Sequence, residues 1–127
     1  MTLKLVRLEL ARTKEHPNGS AAHGYEFTAP LDGEGHLDMA GWKRDGLACT
    51  VWRFWADEPE EHGQLIHGRA GWAFSYEPGD ADDEPIFRFD RHTFNEGEYV
   101  SITEHDGVTR TFNVAWVHPA PVLSRPG

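Results

Sequence analysis

Eight histidines, at positions 16, 23, 36, 62, 67, 92, 105 and 118, are the chain's largest stock of reactive side chains. A metal site needs two or more imidazoles converging, usually with a carboxylate. The nearest pattern is His62-x4-His67 with Asp90-x-His92 downstream. There is no His-x-His on one strand face and no His-Glu-x-x-His, and most of the histidines fall in turn-rich stretches, so the spacing supports no metal centre. Asp80-Ala-Asp82-Asp83-Glu84 gathers four carboxylates, the ligand type of Ca²⁺ and Mg²⁺ loops. It lacks the spaced ligand series and closing bidentate Glu of such a loop, and reads as a solvated acidic segment. Cys49 is a nucleophile only if an imidazole reaches it. It lies inside an apolar run, where a thiol stays protonated and inert. Gly-x-Ser-x-Gly, the Gly-x-x-x-x-Gly-Lys phosphate cradle and Cys-x-x-Cys are all absent. No residue is assigned as catalytic, no metal ligand is assigned, and no cofactor is called for.

Five tryptophans, at 42, 52, 55, 72 and 116, leave two readings open. They can line a pocket for a flat or sugar-like ligand, or fill the core of a small barrel. In the pocket reading, Trp52, Trp72 and Phe112 form the walls and Arg110 is the polar anchor.

These side chains need strands to position them. The longest regular stretch, Glu98 to Val117, reads as a hairpin turning at His105-Asp106-Gly107. A two-residue loop would set Ile102 opposite Thr111 and Val100 opposite Asn113, mixing apolar and polar side chains on each face. A three-residue loop sets Val100 opposite Phe112 and Ile102 opposite Arg110, with Val114 and Trp116 continuing that face. Gly107 then supplies the left-handed residue at the bulge. Glu98 and Arg110 are the polar exceptions on the inner face, placed near a rim. Leu3 to Arg12 alternates as a first strand, with Val6, Leu8 and Leu10 on one side. Lys14 to Gly24 reads as a loop, Tyr25 to Ala29 as a short strand, and Asp38 caps one helical turn through about Arg44. Leu47 to Trp55 is apolar on both faces, with Cys49, Val51 and Trp55 on one and Thr50, Trp52 and Phe54 on the other. Gln64 to His67 and Trp72 to Tyr76 make a second hairpin. Glu77 to Pro85 is an acidic loop and Ile86 to Asp90 a strand. About seven short strands and almost no helix predict a mainly β fold, a small, partly open antiparallel barrel with one short helical turn. It forms a single domain over residues 1–117, with 118–127 as a C-terminal tail.

At 127 residues with 39% hydrophobic and 26% charged side chains, the chain has the make-up of one folded domain. It contains no apolar run of membrane-spanning length and no signal-peptide pattern at its start. A single cysteine permits no internal disulfide and points to a reducing cytoplasm. The net charge of −9 disfavours nucleic acid and anionic membrane as partners. The charge is uneven: residues 1–25 carry +2 and the remainder −11.

Phe94-Asn-Glu-Gly-Glu-Tyr-Val-Ser-Ile102 followed by Arg110-Thr-Phe-Asn113 resembles the flavin-binding barrel of ferredoxin reductases. That family opens the strand with a Pro-Gly-Gln-Tyr-like sequence and follows it with an Arg-x-Tyr-Ser flavin motif. Glu98 stands here where Gln is usual, Phe112 replaces Tyr and Asn113 replaces Ser. The resemblance implies a flavin phosphate contact at Arg110; it covers about twenty residues, and no nicotinamide-binding domain follows. With no catalytic motif, the expected role is a non-catalytic cytoplasmic accessory domain that binds another protein or itself as a homo-oligomer. The alternative is a small-molecule-binding barrel, flavin-type or other, or a small enzyme with an aromatic-lined pocket.

Overall fold

The computed structural model describes residues 2–14, 17–56, 58–68, 71–76, 83–86, 89 and 93–120. Eight strands follow in chain order: β1 (Thr2–Leu10), β2 (Ser20–Leu31), β3 (Thr50–Trp55), β4 (Glu61–Gly68), β5 (Gly71–Ser75), β6 (Glu84–Pro85), β7 (Tyr99–Thr103) and β8 (Thr109–Pro119). One helix, α1 (Met39–Asp45), and a 3₁₀ turn (Gly46–Ala48) lie between β2 and β3. All pairings are antiparallel, in the order β6-β5-β4-β3-β2-β1-β8-β7. The two edge strands face each other across a seam, where Ile86 and Ile102 form an isolated bridge. The fold is therefore a nearly closed antiparallel barrel with one short helix, as the strand pattern predicts. No described helix is long and apolar enough to cross a membrane.

Alternation fills the interior. Val6, Leu8 and Leu10 from β1, Tyr25, Phe27, Ala29 and Leu31 from β2, and Phe112 and Val114 from β8 are all buried. The final hairpin has the register expected of a three-residue loop: Val100 pairs with Phe112 and Ile102 with Arg110. Gly107 has φ +84°, and its N–H donates to the Glu104 carbonyl at 2.8 Å. Trp116 departs from expectation. The β1–β8 ladder shifts between Arg7, which pairs with Trp116, and Leu8, which pairs with Val114. The extra residue, Ala115, rotates the strand beyond it, so Trp116 leaves the inner face and Val117 packs against the core.

Other boundaries also move. β2 begins at Ser20 rather than Tyr25, because its first residues pair across a register shift between Glu9 and Leu10. β3 begins at Thr50, with Leu47 and Ala48 in the 3₁₀ turn. β8 runs on through Pro119, and the Ala120 N–H donates to the Leu3 carbonyl at 3.0 Å, so the expected tail is ordered at least that far. In the Ile86 to Asp90 stretch, the described residues are Ile86, in its bridge, and buried Phe89. Asp38 caps α1, accepting from the Gly41 N–H at 3.1 Å. The helix and its approach set Leu37, Met39 and Trp42 against one end of the core.

Candidate functional site

The other end of the barrel is closed by charge. Seven inward positions there carry polar side chains: His23 on β2, Arg53 on β3, Glu61 on β4, Tyr76 after β5, Glu84 on β6, Glu104 after β7 and Arg110 on β8. Antiparallel order brings the start or finish of every one of these strands to the same rim. The inward row of β3 is Cys49, Val51, Arg53 and Trp55, so simple alternation turns Arg53 into the interior. Its side chain is only 2% exposed.

Arg53 is the hub. Its Nε and a terminal nitrogen both lie 3.1 Å from Glu104 Oε2, and Nε lies 3.5 Å from Glu84 Oε2. The other terminal nitrogen lies 3.4 Å from both Glu58 Oε1 and Glu61 Oε1. Glu104 also meets His23 Nε2 at 2.9 Å, the Tyr25 hydroxyl at 2.7 Å and, through Oε1, Arg110 at 2.6 Å. Glu84 accepts from the Tyr76 hydroxyl at 2.7 Å and from the His105 backbone N–H at 2.9 Å. Its Oε2 lies 2.7 Å from His105 Nδ1, and its Oε1 lies 2.9 Å from the Tyr25 hydroxyl. Trp55 stacks on the His23 ring at 3.9 Å, with the Arg110 guanidinium 4.9 Å from its centre.

Two buried carboxylates against two guanidiniums balance the charge, and each protonation state responds. Burial opposes ionisation of Glu104, but hydrogen bonds from His23 and Tyr25 and the Arg53 charge outweigh it, lowering its pKa to about 2. Burial, then the negative charges of Glu84 and Glu104, push the Tyr25 phenol well above its ordinary range. Burial and Glu84 do the same to Tyr76. Burial acts against the Arg53 charge, but its surrounding anions prevail and hold it protonated. Among the described residues, the buried side-chain polar atoms lacking a hydrogen-bond partner are Trp52 Nε1, Trp72 Nε1 and Asp83 Oδ1. None belongs to this network. It is saturated, and chemically it acts as a plug.

The four residues proposed as a ligand pocket are spread over the molecule. Arg110 and Phe112 stay together on β8, Arg110 at the rim and Phe112 below it, edge-on to Tyr25 at 5.2 Å. Trp72 lies at the opposite end, against Trp42 at 4.9 Å and Phe89 at 5.4 Å. Trp52 faces outward beside Phe54 at 5.0 Å. They do not converge on one cavity. Arg110, the expected phosphate contact, bonds Glu104 and Asp106.

His62 and His67 lie five positions apart on β4 and so take opposite faces; His62 stacks over Trp52 and His67 over Trp72. Asp90 and His92 lie outside the described residues, as do Asp80 and Asp82. Among the described residues no group of three or more His, Cys, Asp or Glu is placed to hold a metal ion. Glu84 overturns the reading of its segment as wholly solvated, since it is fully buried in the barrel. Cys49 is buried, its Sγ donates to the Asp45 carbonyl at 3.5 Å, and burial with the Asp45 charge pushes the thiol up to about 11.

Comparison with known proteins was negative. No family model, no curated protein and no solved structure matches the chain. The reading of its role rests on the geometry alone.

Proposed function

We propose that this chain is a non-catalytic interaction domain that binds another protein through its outer surface. The observation that carries this reading is the filled interior. Side chains occupy the barrel from Leu31 to the Arg53 network, and the polar atoms at the rim are engaged with one another. Ligand-binding barrels need interior space, and here the open concavities lie outside the barrel. The most apolar is a groove of about 600 Å³ between the α1 turn and β4, with Trp42, Leu47, Ala48 and Ile66 in its walls. Leu47 is 85% exposed there. An isolated exposed apolar residue is ordinary, whereas one set in an apolar groove suits a partner. Lys43 and Arg44 flank the groove on a chain of net charge −9. The occupant that fits is a protein segment with apolar side chains beside carboxylates. A single buried thiol suits a reducing cytoplasm. The acidic balance suits neither nucleic acid nor an anionic membrane.

One observation favours the small-molecule alternative. An outer groove of about 310 Å³ is lined by Glu26, Thr28, Thr50, Trp52 and His62, an aromatic face beside polar groups.

Native mass spectrometry of freshly purified protein, with an absorbance scan, separates the two. The expected result is the bare polypeptide or its oligomer, and a partner captured by the wild type but lost by folded Leu47→Asp. A stoichiometric small molecule retained by Leu47→Asp and lost by Trp52→Ala would overturn the interaction reading.

A further inference from the structure

We propose that the seam between β6 and β7 carries a pH-operated clasp, the His105 imidazole held between Glu84 and Glu61. Along the rest of the barrel, neighbouring strands are joined by ladders. At the seam the described backbone link is the single Ile86–Ile102 bridge. Toward the polar rim the crossing is made by side chains. Glu84 reaches from β6 to the hairpin turn, accepting from the His105 N–H at 2.9 Å with Oε2 2.7 Å from Nδ1. The same ring presents Nε2 to Glu61 Oε1 on β4 at 3.4 Å. One imidazole thus ties the β7–β8 turn to two strands on the far side of the seam.

The chemistry makes this tie conditional. Neutral imidazole has one N–H and one lone pair. With Nδ1–H given to Glu84, the Nε2 lone pair faces a carboxylate, which repels it. A second proton turns that contact into N–H···O and places a cation between two anions. The ring is 29% exposed, so the proton exchanges with solvent.

Other charged and titratable groups face the clasp from every side. Tyr25 on β2 and Tyr76 after β5 both bond Glu84, and the Tyr76 ring centre lies 6.2 Å from the imidazole. From β3, Arg53 contacts Glu84, Glu61 and Glu58. From the turn and β8 come Glu104, which also holds His23, then Asp106 and Arg110. Arg53 and Arg110 oppose a second proton on the ring, but its own contacts are both carboxylates. The clasp is therefore closed when His105 is charged and loosens as pH rises through the imidazole range, about pH 5 to 8.

Amide hydrogen exchange tests this, with protection factors corrected for intrinsic rates. The His105 N–H should be protected about fivefold more at the acid end of that range than at the alkaline end. The Ile86 N–H, bonded to the Trp72 carbonyl at 3.0 Å on the other side of the seam, should not change. His105→Asn keeps a donor near the Nδ1 position and lacks Nε2; Glu61→Gln removes the anion. Both should abolish the pH dependence. A wild type with pH-independent protection, an equal change at Ile86, or a dependence surviving in both variants would overturn the proposal.

Discussion

The two ends of this barrel are closed by opposite means. At the α1 end, Trp42, Trp72, Phe89 and Phe94 pack with Phe27 as aromatic contacts between 4.9 and 5.7 Å. Such burial is non-directional and tolerates adjustment. At the other end Arg53, Glu84, Glu104 and Arg110 close the interior through fixed hydrogen-bond geometry. Removing one partner there strands a buried charge, whereas trimming one apolar group leaves a small void. The lesson is that closure by charge concentrates the cost of change in a few residues, while closure by packing spreads it.

β7 allows the contrast to be tested on one strand, because Ile102 and Glu104 are successive inward positions. Glu104→Leu should destabilise by about 3–5 kcal/mol, since Arg53, His23 and Arg110 lose their shared anion. Ile102→Val should cost about 0.5–1.5 kcal/mol. Urea unfolding of both variants checks this, and equal midpoints would dissolve the distinction.

Acid provides a second test. Glu104 has a folded pKa of about 2 against an ordinary 4.5. Its contribution is fully present above the unfolded value and is lost as pH falls through the window between the two, on the order of 3 kcal/mol. The urea midpoint should fall across that window and flatten in Glu104→Gln. A wild type that keeps its midpoint there would show that the network does not respond as a charged unit.

Smaller effects should come from the elements that frame each end. Gly107 turns the hairpin below the rim with φ +84° and open space around its Cβ position. Gly107→Ala should therefore lose only the conformational term, about 1–2 kcal/mol, read from thermal unfolding. At the α1 end, Asp38→Ala should remove the cap at about 1 kcal/mol, visible as a lower Tm with the barrel signal intact.

Local rules carried much of the fold. The parity of Val100, Ile102 and Phe112 gave the hairpin register, and Asp38 gave the helix start. They failed where partners lie far apart in the chain. Arg53 sits on an alternating inner face with Val51, and the alternation was the signal that could have found it. A lone inward guanidinium is implausible until Glu104, 51 residues later, is known to meet it. Glu84 was concealed by the acidic residues before it and by the brevity of β6, two residues long. The saturated rim was legible only as scattered exceptions: Arg53, Glu104 and Arg110, each alone on its own strand.

The position of β1 has a consequence for synthesis. It lies between β2 and β8, pairing with residues 20–31 on one side and 112–119 on the other. On the ribosome the β1–β2 and β4–β5 hairpins have both partners early, but the free edge of β1 must wait until β8 has emerged. Through most of translation, the nascent chain therefore presents an uncovered strand bearing Val6, Leu8 and Leu10. That is the interval in which it is most open to pairing with another chain.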